Sequence, residues 1–159
     1  ADPQVGHDGS SDFIAAGGPG TIVGLTEQMS TSLAHNPTVV VIELGLNERQ
    51  PFVATPAATY KTQIQTIVTN VNTVATVQPL VILLASWPFP GENPSAISYR
   101  DKLAEIAAAD PTHTRVCDLT GIDTSAGGGL VWQSPDFRHL TTAGHAFVGD
   151  ALFDTVMAP

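Results

Sequence analysis

Short runs of aliphatic and β-branched residues recur along the chain and predict buried β-strands. These runs cover residues 39–44, 80–85 and 114–119. The first two are apolar at almost every position, which is typical of strands that are buried on both faces of a parallel sheet. The third run is shorter and predicts a third strand.

Stretches with helical spacing of apolar residues separate and follow these strands. The predicted helices cover residues 22–34, 60–77, 99–109 and 144–157. In the second of them Ile64, Ile67 and Val71 share one face, while its many threonines make it a weak intrinsic helix that depends on packing. The alternation of strands and helices predicts a single α/β domain over residues 1–159, with helices packed on a parallel sheet.

Composition and charge exclude several classes of protein. Hydrophobic residues make up 43% of the 159 positions and charged residues 13%, which excludes a disordered chain. The chain has 15 acidic and 6 basic residues, and this balance argues against a nucleic-acid partner because phosphate binding needs clustered Lys and Arg. No apolar run approaches the roughly 18 residues of a membrane span. Cys117 is the only cysteine, so neither an intrachain disulfide nor a thiolate metal site is predicted.

The most informative motif lies near the end of the chain. Asp136 precedes His139 by three residues, and Gly144-His145 opens the last predicted helix. A carboxylate at this spacing can fix the tautomer of an imidazole and stabilise the imidazolium that forms during acyl transfer. Taken alone, the motif fits a solvated Asp and His on a surface loop equally well. No metal site is predicted, because the spacing of these residues does not match a metal-ligand pattern.

Two further loops carry weaker signals. Residues 45–48, Gly-Leu-Asn-Glu, follow the first predicted strand. We therefore expect the amide of Asn47 at the carboxyl edge of the sheet, where parallel sheets bind their ligands. A structural turn is the simpler interpretation of this segment when it is taken alone. Residues 6–11, Gly-His-Asp-Gly-Ser-Ser, precede a helical stretch and could offer backbone N–H groups to an anion, although such a run is usually a solvated loop.

Together, and in this order, the three segments resemble sequence blocks of the SGNH (GDSL-like) hydrolases. Residues 6–9 look like the second block, in the form found in the acetyl-xylan-esterase-like branch, and residues 45–48 look like the third. Residues 136–145 look like the fifth block and are the most specific of the three. The resemblance implies a three-layer α/β/α sandwich with a parallel sheet, the flavodoxin-like fold of that family.

The resemblance also implies a role for each candidate residue. The backbone N–H of Gly9 and the side-chain amide of Asn47 would be the oxyanion-hole donors, each worth roughly 3–4 kcal/mol in the transition state. His139 would be the general base, and Asp136 would orient it. The family needs no cofactor for this chemistry, and none is predicted here.

Two departures from the family pattern change these expectations. Glu48 stands where the family has Asp after the oxyanion Asn. The first block, Gly-Asp-Ser with the nucleophile, is not found: no apolar strand precedes Gly9, and residues 149–151 read Gly-Asp-Ala. We therefore expect an N-terminally incomplete domain, which is either a trimmed part of a longer polypeptide or is partnered by a companion segment that carries the first two strands and the nucleophile. Ser10 and Ser11 are the fallback nucleophiles, although a loop serine that caps a helix turn is the simpler account.

The functional expectation is a serine esterase with a Ser-His-Asp triad. Its expected substrates are short-acyl esters, particularly acetyl groups on polysaccharides such as xylan. Hydrolysis of lipids or general carboxylesters is the enzymatic alternative, and a carbohydrate-binding or structural relative without a nucleophile is the non-enzymatic one. The family's habits and the low lysine content imply an extracellular location, with no nucleic-acid or membrane partner.

Overall fold

The computed structural model describes Leu33 and residues 36–46, 48–49, 55–88, 93–122 and 140–159. Strands and helices alternate along these residues. In chain order they are β1 (Val39–Ile42), α1 (Ala57–Val74), β2 (Leu80–Ala85), α2 (Asn93–Ala109), β3 (Thr114–Asp118) and α3 (Thr142–Met157).

The three described strands form one parallel sheet in the order β1-β2-β3. Val39 of β1 pairs with Leu80, and Val81 of β2 pairs with Thr114 of β3. The central strand β2 is therefore hydrogen-bonded on both edges. Because all three strands run in the same direction, their carboxyl ends meet at one edge of the sheet.

Side chains of β2 alternate between two hydrophobic clusters on opposite faces of the sheet. Val81 and Leu83 belong to the cluster that contains the apolar faces of α1 and α2. Ile82 and Leu84 belong to the second cluster, against which apolar residues of α3 pack. Helices thus cover both faces of a parallel sheet, which confirms the predicted three-layer α/β/α sandwich.

Arg115 fixes the direction in which α3 crosses the sheet. This residue lies near the start of β3, and its Nη1 donates to the carbonyl oxygens of Thr155, Val156 and Ala158 at 3.0, 3.1 and 2.6 Å. The carboxyl end of α3 therefore lies near the amino end of β3, and α3 runs antiparallel to the strand. Its first turn is directed toward the carboxyl edge of the sheet.

The predicted types of the six described elements are confirmed, and some of their boundaries move. The strand at Leu80–Ala85 has the predicted bounds, whereas α2 begins at Asn93 instead of residue 99. Pro94 falls in its first turn, where a missing N–H costs no helical hydrogen bond. The helix α1 ends before Ala75, which adopts an extended conformation. The predicted helix over residues 22–34 lies outside the described residues except for Leu33, which is helical.

The outer edge of β1 has no pairing strand among the described residues. Val41 on this strand keeps 46% of its surface exposed, although neighbouring Ile42 is buried. The exposed valine lies on the sheet face that α3 covers at β2 and β3. Among the described residues, no side chains bury the part of this face around Val41. Separately, none of the described helices is both long and apolar enough to cross a membrane.

We predict that truncating a side chain on the central strand destabilises the domain far more than the same truncation at the surface. Val81 is fully buried, whereas Val77 is 68% exposed in the preceding loop. Val81→Ala removes two buried carbon atoms and leaves a cavity, so the free energy of unfolding should fall by about 2 kcal/mol. Urea denaturation measures this, and Val77→Ala should stay within about 0.5 kcal/mol of the parent protein. Equal effects would contradict the described core.

Candidate functional site

The carboxyl ends of the three strands lead into the segments from which the candidate site is built. After β1 come residues 43–49, after β2 come Ser86 and Trp87, and after β3 come Leu119 and Thr120. In open parallel sheets, ligands bind in the crevice outside this edge.

A hydrophobic cluster brings together the chain neighbours of two candidate catalytic residues. Leu140 is 8% exposed and belongs to the cluster that also contains Trp87 and Leu119. Leu46 packs against the same cluster. Leu46 directly precedes Asn47 and Leu140 directly follows His139, so two distant parts of the sequence meet on one face of the sheet.

The first turn of α3 fixes the backbone that follows the Asp-His motif. Thr141 is the N-cap residue, and its side-chain oxygen accepts a hydrogen bond from the backbone N–H of Gly144 at 3.2 Å. The N–H of His145 donates to the carbonyl of Thr141 at 2.9 Å. A capped helix start immediately after Leu140 holds one end of the predicted catalytic loop in a defined place.

Electrostatics link the end of β1 to this first turn. Glu43 follows β1 directly, and the surrounding protein raises the pKa of its carboxyl above the ordinary value by desolvation. An electrostatic interaction with His145, in the first turn of α3, opposes that rise. Glu43 nevertheless keeps an exposed surface.

The turn after β1 has a backbone that requires glycine. Gly45 adopts φ +114°, a region that L side chains rarely enter. A Cβ at this position would lie 2.8 Å from Cε2 of Tyr60, closer than atoms pack. The hydroxyl of the same tyrosine donates to the carbonyl of Leu44 at 2.8 Å. Gly45 therefore permits both the turn and the approach of the aromatic ring.

A second tyrosine binds the other side of the same turn. The hydroxyl of Tyr99 lies 2.6 Å from the carbonyl oxygen of Thr55 and 3.2 Å from that of Glu48. The backbone N–H of Thr55 also donates to the Glu48 carbonyl, at 2.8 Å. These bonds tie the end of the turn to the start of α1 and to α2.

Arg49 joins the turn to the end of β2. Its guanidinium Nη2 donates to the carbonyl oxygen of Trp87 at 2.8 Å, and the residue is only 6% exposed. A buried charge that donates to a strand-end carbonyl couples the loops after two neighbouring strands. Trp87 itself is 5% exposed and packs in the core cluster, which favours the interpretation of a packed connection over that of a pocket wall.

Five candidate site residues lie outside the part of the chain that the structure describes. They are Gly9, Ser10, Asn47, Asp136 and His139. The roles assigned to them, and that of Ser11, remain predictions. The structure describes Leu46 and Leu140, which are next to Asn47 and His139 in the sequence, and both pack in one cluster on the face of the sheet that α3 covers.

Sequence reasoning missed the residues that hold the turn, namely Tyr60, Tyr99 and Arg49. Both tyrosines were assigned only as the first residues of predicted helices. The available signal was their position on the apolar faces of those helices, since a buried tyrosine hydroxyl usually finds a hydrogen-bond partner. Among the described residues, no group of three His, Cys, Asp or Glu side chains could hold a metal ion.

Comparison with protein families gives a match over nearly the whole chain. The family model described as the GDSL-like Lipase/Acylhydrolase family matches residues 4–147. No curated protein matches this chain significantly.

Solved structures with this architecture include several esterases. A family 3 carbohydrate esterase from Clostridium thermocellum matches with a TM-score of 0.66 and 17% identity, over 86% of this chain and 64% of its own. A lipase/acylhydrolase from Enterococcus faecalis gives a TM-score of 0.65 and 18% identity, over 82% of this chain and 67% of its own. A catalytic mutant of an acetylxylan esterase from Geobacillus stearothermophilus gives a TM-score of 0.61 and 16% identity, over 92% of this chain and 72% of its own.

These similarities show a shared fold and a difference in length. At 16–18% identity they establish the architecture and leave the substrate open. The chain spans less than two thirds of the Clostridium thermocellum esterase.

We predict that the cap of α3 contributes measurably to stability. Thr141→Ala removes the oxygen that accepts the N–H of Gly144, so the free energy of unfolding should fall by about 1 kcal/mol. Thr142→Ala removes the same atoms one residue later, inside the helix, and should have little effect because alanine favours helix. Urea denaturation of both variants distinguishes the two sites. A loss in Thr142→Ala as large as that in Thr141→Ala would contradict the capping role.

Proposed function

Since this chain belongs to the GDSL-like lipase/acylhydrolase family, we propose that it supplies the general base and the oxyanion hole of a serine ester hydrolase. One observation carries most of the support: Leu46 and Leu140 pack in the same hydrophobic cluster, on the face of the sheet that α3 covers. Leu46 directly precedes Asn47 in the sequence, and Leu140 directly follows His139.

In this proposal His139 accepts the proton of a serine hydroxyl as the serine oxygen attacks the ester carbonyl carbon, and Asp136 orients the imidazole. The carbonyl oxygen becomes an oxyanion, to which the amide of Asn47 and the N–H of Gly9 donate. Collapse of the intermediate breaks the bond to the leaving alcohol, which takes the proton from His139. Water then attacks the acyl-enzyme by the same route and releases the acid.

For the nucleophile we propose a companion N-terminal segment that pairs with the outer edge of β1 and carries the serine. The sequence contains no Gly-Asp-Ser block. No described strand pairs with that edge, and Val41 beside it is 46% exposed. A strand with an open edge and an uncovered apolar face is a ready template for a further strand. Ser10 remains the fallback nucleophile within this chain.

For the substrate we propose short-acyl esters, in particular acetyl groups on a polysaccharide such as xylan. Residues 6–9 support this choice by their resemblance to the acetyl-xylan-esterase-like branch. Two of the similar structures are described as a carbohydrate esterase and an acetylxylan esterase. A polymeric substrate of this kind also fits the proposed extracellular location.

A second candidate function is carbohydrate binding without catalysis. It is favoured by the missing Gly-Asp-Ser block, because a relative without a nucleophile could keep the fold and bind the polysaccharide. The two candidates differ in one property, which is whether a reactive serine exists.

We predict that the native material hydrolyses p-nitrophenyl acetate and that His139→Ala lowers kcat/KM by at least about 10³-fold, because the serine loses its base. His113→Ala is the matched control. This histidine precedes β3, at the amino edge of the sheet, and its Nδ1 lies 3.2 Å from Oδ1 of Asp110. Its loss should leave turnover within about twofold of the parent protein.

Fluorophosphonate labelling, read by intact mass and peptide mapping, locates the nucleophile in the same material. An adduct on a companion segment supports the proposal in full. An adduct on Ser10 or Ser11 supports the esterase and overturns the companion. Retained affinity for acetylated xylan without any adduct or turnover would establish the binding function instead.

A further inference from the structure

The turn after β1 is held from outside by two aromatic rings that lie against each other. Tyr60 of α1 and Tyr99 of α2 stack with ring centroids 4.0 Å apart and an interplanar angle of 17°. They are 1% and 7% exposed. We call these two residues the tyrosine pair. Because stacking and burial fix both rings, their hydroxyl groups are fixed as well.

Each hydroxyl of the tyrosine pair binds main chain on a different side of Asn47. Tyr60 donates to the carbonyl of Leu44 at 2.8 Å, before the asparagine. Tyr99 lies 3.2 Å from the carbonyl of Glu48, after it, and 2.6 Å from that of Thr55. The backbone on both sides of Asn47 is thus tied to one rigid pair.

The turn has little freedom to move away from these contacts. Gly45 approaches Tyr60 so closely that a Cβ would overlap the ring, at 2.8 Å from Cε2. Arg49 is bound to the Trp87 carbonyl at 2.8 Å. Burial raises the pKa of Tyr60 well above its ordinary value, so its hydroxyl keeps the proton that it donates across any practical assay pH.

We infer that the tyrosine pair positions the turn that carries Asn47, and through it the oxyanion donor of the ester hydrolase. The catalytic part of this inference rests on the proposed function. Both tyrosines are positioning residues, because their hydroxyl groups are used by backbone carbonyls. An oxyanion donor acts only where its hydrogen reaches the developing charge, and a displacement of about 1 Å can cost on the order of 10²-fold in rate.

The test uses Tyr60→Phe and Tyr99→Phe, which keep the stacked rings and remove one hydroxyl each. Thr66→Val is the matched control. Its hydroxyl also donates to a backbone carbonyl, that of Thr62 at 2.9 Å, but on the exposed face of α1. Hydrogen exchange over residues 43–49 is measured in the full chain. Exchange should accelerate by about tenfold in both tyrosine variants and stay unchanged in the control.

Steady-state kinetics with p-nitrophenyl acetate gives the second readout, with kcat counted per fluorophosphonate-reactive site to correct for any misfolded fraction. We expect kcat to fall by about tenfold in each tyrosine variant while KM stays within about twofold, because the donor acts in the transition state. A general loss of structure would lower the number of reactive sites and leave kcat per site unchanged.

The outcomes separate this inference from the proposed function. Unchanged exchange over residues 43–49 in both variants would overturn the positioning role. Faster exchange with unchanged kcat, or a raised KM with unchanged kcat, would overturn its catalytic part. If the parent protein turns over no ester, the proposed function fails and the catalytic part fails with it, while exchange still decides whether the pair holds the turn.

Discussion

Parallel pairing of β2 with both of its neighbours is the constraint on which the described site depends. The register that places Val81 opposite Thr114 also makes the strands end side by side. Chain leaving β1, β2 and β3 therefore emerges at one edge, where loops distant in sequence meet. Burial of β2 on both faces locks this arrangement, since a shift of one residue would exchange the side chains that face the two helical layers.

The strands were predictable because their burial on both faces requires apolar residues at almost every position. A run such as Leu80–Ala85 has apolar side chains on both faces, and only a covered strand tolerates this. Helix starts were less predictable. The apolar periodicity of α2 begins at Ala96 and Tyr99, whereas the helix begins at Asn93, where the sequence offers Pro94 and no apolar repeat. Periodicity reports the face that packs, and a helix can begin before that face does.

The sequence predicts the candidate site only through the residue types that its chemistry needs. Asp136, His139 and Asn47 stand out because acyl transfer needs a carboxylate, an imidazole and a donor. The contacts that hold their surroundings do not stand out. The bond from Tyr60 to the carbonyl of Leu44 joins residues on different elements and depends on how α1 packs against the sheet. Neither composition nor spacing encodes that distance.

The contacts that hold the turn after β1 also explain part of its sequence. An oxyanion hole works by presenting donors that need no rearrangement when charge develops. A loop is held in place when buried groups already satisfy its carbonyls, as the Tyr60 hydroxyl does for Leu44 and the Thr55 N–H does for Glu48. The close ring contact leaves no room for a side chain at Gly45. A glycine usually makes a backbone more flexible. Here the missing side chain of Gly45 lets the Tyr60 ring approach, and the hydroxyl of that ring restrains the backbone through the Leu44 carbonyl.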